Sequence, residues 1–87
     1  MLTQDNQAYT SQKQIAATSS TAGTLMYTVP LGKTFIGKMI PTNNVSVSIN
    51  GAPVALITGV VNDFTFISGT SIVNLSNYTV SLIGVEQ

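Results

Sequence analysis

The chain has 87 residues, no His, Cys, Arg or Trp, and only six charged side chains (Asp5, Lys13, Lys33, Lys38, Asp63 and Glu86), which sum to zero. That inventory excludes a disulfide framework and a His/Cys metal site. It also leaves no Lys/Arg cluster to displace counterions from nucleic acid or to dock on anionic lipid. With 44% apolar residues and 7% charged ones, against the roughly 25–35% charge of an ordinary surface, the outside must be coated with hydroxyls and amides.

Residues 1–24 are sparse in apolar side chains and rich in Gln, Ser, Thr and Ala. They read as an extended polar arm whose apolar contacts are Leu2, Tyr9 and Ile15, with room for a short strand around Gln12 to Thr18. Nothing in the first residues gives a positive start followed by an apolar run, so no secretion signal is expected, and no apolar run approaches a membrane span.

From Leu25 to Gln87 the signal is that of one β domain. Leu25 to Val29 is a β-prone run stopped by Pro30, and Pro30-Leu31-Gly32-Lys33 reads as a turn. Thr34 to Ile40 is the next strand, in which Gly37 marks a bulge or a close backbone approach. Val45-Ser46-Val47-Ser48-Ile49 alternates strictly, and Asn50-Gly51 is the favoured pair for a two-residue type I′ hairpin. Such a loop pairs Ile49 with Ala52, Val47 with Val54 and Val45 with Leu56, all on one apolar face. It sets Pro53 opposite Ser48, which calls for a sheet edge. Strands follow at Val61 to Ile67, Ser71 to Leu75 and Tyr78 to Val85. Phe64 and Phe66 share a face, as do Val73 and Leu75; Tyr78, Val80 and Leu82 are expected to point inward.

About seven short strands at turn spacings of roughly 8–12 residues indicate an all-β fold, a compact antiparallel β-sandwich or jelly-roll-like barrel. Val45, Val47, Val54, Leu56, Phe64, Phe66, Val80 and Leu82 are its expected core or subunit-interface positions.

Active-site templates fail on inventory. A nucleophile–His system has no His. A carboxylate pair would have to come from Asp5, Asp63 and Glu86, which the sequence scatters. Lys33 and Lys38 fall in a turn and near a strand end, as surface charges do. No enzyme activity, metal or cofactor is expected. Three glycosylation sequons, at Asn44, Asn74 and Asn77, are what chance gives a chain so rich in Ser and Thr. A chain this short is marginal as a lone fold, and with no staple available oligomerisation is the expected route to stability.

Two stretches carry a resemblance. Tyr27-Thr28-Val29-Pro30-Leu31-Gly32-Lys33-Thr34 resembles the Y-T-V-P-A-G-K-T strand–turn–strand of small tailed-phage virion proteins, with Leu31 in place of the usual Ala. Val80-Ser81-Leu82-Ile83-Gly84-Val85-Glu86 resembles the V-S-L-x-G-V-E ending of similar modules. The resemblance implies a structural protein of a bacteriophage virion: a capsid decoration (cement) or head-spike protein on the outer surface of the capsid, homotrimeric and held to the major capsid protein by its arm. It implies no catalytic residues. The alternative is a tail-tip or fibre module that contacts a host surface glycan through Tyr side chains and hydroxyl-rich loops.

Overall fold

The structure, a computed structural model, describes residues 13–87. It contains eight strands: β1 (Lys13–Ser19), β2 (Thr24–Thr28), β3 (Phe35–Pro41), β4 (Val45–Ile49), β5 (Ala52–Leu56), β6 (Asn62–Phe66), β7 (Ser71–Asn74) and β8 (Val80–Glu86). They form two four-stranded antiparallel sheets, ordered β1-β8-β3-β6 and β2-β7-β4-β5.

The pairs β1·β8, β2·β7, β3·β6 and β4·β5 are the rungs of one long hairpin whose tip is the β4–β5 turn. The pairs β3·β8 and β4·β7 close that hairpin on itself. Only the β4–β5 connection stays within a sheet; every other one crosses to the opposite sheet. This is the arrangement of an eight-stranded jelly roll. Because successive strands alternate in direction, the β2–β3, β4–β5 and β6–β7 turns share one end with the start of β1 and with Gln87. The remaining connections share the other end.

Local chemistry fixes the tip. Asn50 and Gly51 both take positive φ, 52° and 85°, as a type I′ turn requires. The register is Ile49↔Ala52, Val47↔Val54 and Val45↔Leu56, and β5 is an edge strand with Pro53 opposite Ser48. Asn50 ties the tip to β7: its backbone N–H donates to the Ser71 carbonyl (3.0 Å), and its Oδ1 accepts from the Ser71 N–H (2.8 Å).

Phe35, Met39, Val47, Ile72, Val80 and Leu82 are fully buried between the sheets. Rings run through this core in sequence, with Tyr27–Phe35, Phe35–Phe66 and Phe64–Phe66 centroids 5.2, 6.0 and 5.1 Å apart, within the range of favourable aromatic pairs. Gly37 and Gly84 oppose each other across β3 and β8. A Cβ on Gly84 would lie 2.6 Å from both the Gly37 Cα and the Phe35 Cζ. Gly37 therefore marks a close backbone approach within a continuous register, and the Phe35 ring covers both glycines.

Two sequence expectations are corrected. The short strand allowed for around Gln12 to Thr18 is present as β1, Lys13–Ser19, which makes eight strands and belongs to a sheet rather than to a free arm. Its apolar signal is weak because it is an edge strand that turns only Ile15, Ala17 and Ser19 inward. In β7, whose inward face the sequence left open, the buried positions are Ile72 and Asn74. Asn74 is tolerated there because its amide is satisfied. Its Nδ2 reaches the Ser19 carbonyl and Oγ, both at 3.3 Å, and the Tyr78 carbonyl at 3.2 Å; its Oδ1 accepts from the Ser76 N–H at 3.0 Å. Tyr78 lies outside β8 and is exposed; its backbone carbonyl, not its ring, serves the interior.

Candidate interaction surface

The two sheets present unlike outer faces. On the β1-β8-β3-β6 sheet the register lays out three rows: Gln14–Val85–Ile36–Thr65, Ala16–Ile83–Lys38–Asp63, and Thr18–Ser81–Ile40. Ile36, Ile40 and Ile83 are 43%, 37% and 47% exposed, so this face carries a contiguous apolar patch. Among the described residues its ionic groups are Lys38 and Asp63, which oppose each other across β3 and β6. Ile83 and Val85 stand between two shallow depressions, one of about 470 Å³ over β3 and β6 and one of about 530 Å³ over β1.

The outer face of the β2-β7-β4-β5 sheet is made chiefly of small and hydroxyl side chains. Thr28 pairs with Ser71, and Val73 lies between Leu25 and Ser48; Ser48 in turn opposes Pro53, and Ser46 opposes Ala55. The Thr28 and Ser71 hydroxyls bond to each other at 3.1 Å, so part of this face's polar capacity is spent within the sheet.

At the end where β1 starts, Leu31 and Ile67 are the two most exposed large apolar side chains. Their turns are tied by the Gly32 N–H donating to Ser68 Oγ at 3.0 Å. Behind this end lies a strong interior contact of an ionisable group: Tyr27 donates its hydroxyl to Glu86 Oε2 at 2.5 Å, and Glu86 is buried. Burial, the hydrogen bond to Glu86 and the neighbouring negative charge together push the Tyr27 phenol well above its ordinary value. The contact joins β2 to β8 and so locks the two sheets together.

The expected site residues fall into distinct places. Leu2 and Tyr9 lie outside the described residues. Ile15 is not a free arm contact; it is in β1 and packs against the core. Val45, Val47, Leu56, Phe66, Val80 and Leu82 are buried core, and Val54 and Phe64 are partly buried against it. None of these eight lies on the exposed patch. The patch residues Ile36, Ile40, Ile83 and Val85 were not singled out in the sequence, although the signal is there: β3 and β8 carry apolar side chains on both alternating faces, the pattern of strands covered on both sides.

Among the described residues no three His, Cys, Asp or Glu side chains gather, and no helix is long and apolar enough to cross a membrane. Comparison with protein-family models, with curated proteins and with solved structures finds no match to this chain.

Proposed function

We propose that this protein is a structural component of a tailed-phage virion, a decoration or head-spike protein that stabilises the capsid by binding as a homotrimer to the outside of the major capsid protein. One observation carries the reading: a jelly roll with few charges leaves Ile36, Ile40 and Ile83 exposed on one sheet face, as suits a protein that acts by packing against neighbours, copies of itself included. The strand–turn–strand at Tyr27 to Thr34 and the ending at Val80 to Glu86 support the phage assignment by resemblance. Jelly rolls serve as capsid and as lectin domains, so the fold itself favours neither over a glycan-binding tail module. The exposed isoleucines favour packing against protein over binding a sugar.

The mechanism is adhesive and uses no catalysis. Apolar area removed from water across a joint between capsid subunits contributes roughly 25 cal/mol per Å² before association costs. β1 begins at the end that bears Leu31 and Ile67, and in this reading the segment before it is the arm that reaches the shell. Because β1 belongs to the fold, the informative truncation removes residues 1–12 and not 1–24. Particles made without this protein, incubated with the full chain, should take it up and resist heat better. The truncated chain should stay folded and bind much less. Uptake of the truncated chain at full level refutes the arm's role, and no uptake of the full chain refutes the shell assignment.

A further inference from the structure

The geometry points to the outer face of the β1-β8-β3-β6 sheet as the surface through which copies of this chain meet, with three faces enclosing a common axis. This deepens the proposed role by naming the subunit contact, and it rests on the protein being an oligomer.

The occupant follows from charge, size and edge direction. The ionic groups on the face are Lys38 and Asp63, side by side in register. They cancel, so a second identical face meets no repulsion, whereas a strongly charged partner would find nothing to match. The other outer positions are apolar at Ile36, Ile40, Ile83, Val85 and Ala16, which gain by leaving water, and uncharged polar at Gln14, Thr18, Thr65 and Ser81.

Size selects the number. Four strands at about 4.8 Å give a face about 19 Å wide. Three such faces closed as a triangular prism put each face centre about 5.5 Å from the axis, close to half the roughly 10 Å at which packed sheets sit. Isoleucine and valine side chains fill that gap. Four faces would stand about 9.5 Å from the axis and leave an open channel.

Edge direction separates three copies from a face-to-face pair. β1 and β6, the two edges of the sheet, run in opposite directions. A rotation about an axis along the strands therefore brings β6 of one copy beside β1 of the next in antiparallel sense. β1 is an edge without defence: it has seven residues, no proline, a continuous register with β8, and its only charge at its first position, Lys13. The edges of the other sheet carry Pro53 on β5 and an irregularity between Leu25 and Tyr27 on β2. Both are devices that discourage strand addition. Face-to-face stacking of two copies would leave β1 exposed; the three-fold arrangement covers it.

Sedimentation velocity and native mass spectrometry of the full chain, the Ile83→Lys variant and a Leu25→Lys control on the opposite sheet test this. Ile83 is half exposed in the single chain, so a lysine there should leave the far-ultraviolet circular dichroism intact. The expected result is three chains for the wild type and the control, and one chain for Ile83→Lys. Hydrogen exchange of the β1 amides, followed on dilution of the wild type, gives a readout that needs no substitution and should quicken as the assembly dissociates. A wild-type trimer that survives Ile83→Lys with unchanged β1 exchange overturns this surface while leaving the oligomeric reading intact. A wild-type monomer overturns both, and a dimer overturns the three-fold closure.

Discussion

Replacing Gly84 by alanine tests the packing of the β3–β8 pair, on which both the core and the outer patch depend. The added methyl would sit 2.6 Å from the Gly37 Cα and 2.6 Å from the Phe35 Cζ, and would also press on the Ile36 carbonyl oxygen. Ordinary carbon–carbon contact begins at about 3.5 Å, so roughly 1 Å of separation must be found. The ring of Phe35 is fully buried, stacked on Phe66 and tilted against Tyr27, which leaves it little room to turn. The other two contacts are backbone on the neighbouring strand. Moving β3 away from β8 strains pairs on both sides of Gly37↔Gly84. Overpacking of this kind costs about 2–3 kcal/mol. For a domain of this size that corresponds to a fall in Tm of about 10–20 °C. The assay is thermal and denaturant unfolding followed by circular dichroism, with attention to an unchanged denaturant slope. A Tm within about 3 °C of the wild type, less than the about 4–8 °C that 1 kcal/mol would produce, refutes the claim that the two backbones and the Phe35 ring are in tight contact.

Tyr27→Phe removes the donor to a buried carboxylate and should destabilise by about 2 kcal/mol at neutral pH. The Tyr27 phenol is raised in the folded chain, so its contribution is complete below the unfolded value near 10 and is lost as pH rises above it. Wild type should therefore lose stability through this group in alkaline denaturation series, and Tyr27→Phe should show a smaller loss; an identical alkaline loss in both would falsify the assignment. At the hairpin tip, Gly51 has φ 85° with open space where a Cβ would go. Gly51→Ala should thus cost about 1–2 kcal/mol through backbone strain alone, measured by denaturant unfolding. Asn50→Ala should cost at least as much, since it removes the acceptor for the Ser71 N–H as well as a residue that tolerates left-handed φ.

The β4–β5 hairpin was legible to the residue because turn chemistry and strict alternation dictate the same register, from Val45↔Leu56 to Ile49↔Ala52. The all-β class was equally legible. β1 was harder to read, because an edge strand half open to solvent needs only Ile15 and Ala17 to face the core, and two small apolar positions among Gln, Thr and Ser look like linker. Which face of β7 turns inward was not legible for a related reason: alternation alone prefers Val73 over Asn74, and only the hydrogen bonds from Asn74 to Ser19 and Tyr78 reverse it. Glu86 was dismissed for lying next to the chain end, yet its pairing row with Lys13 and Phe35 carries it into the core beside Tyr27. The outer patch is non-local. Ile36 and Val85 become neighbours only once β3 lies beside β8, and no window of sequence holds both.

If this chain works as a repeated, non-catalytic part of a particle, the most direct measurement is a density map of purified particles made by the genome that encodes it, with mass spectrometry of their protein content. The account predicts many copies of the chain, seated as three-fold clusters on the outside of the head, with the β1-β8-β3-β6 face turned to the cluster axis. Particles that contain none of the chain, or that carry it solely at the tail tip with its loops outward, would contradict it.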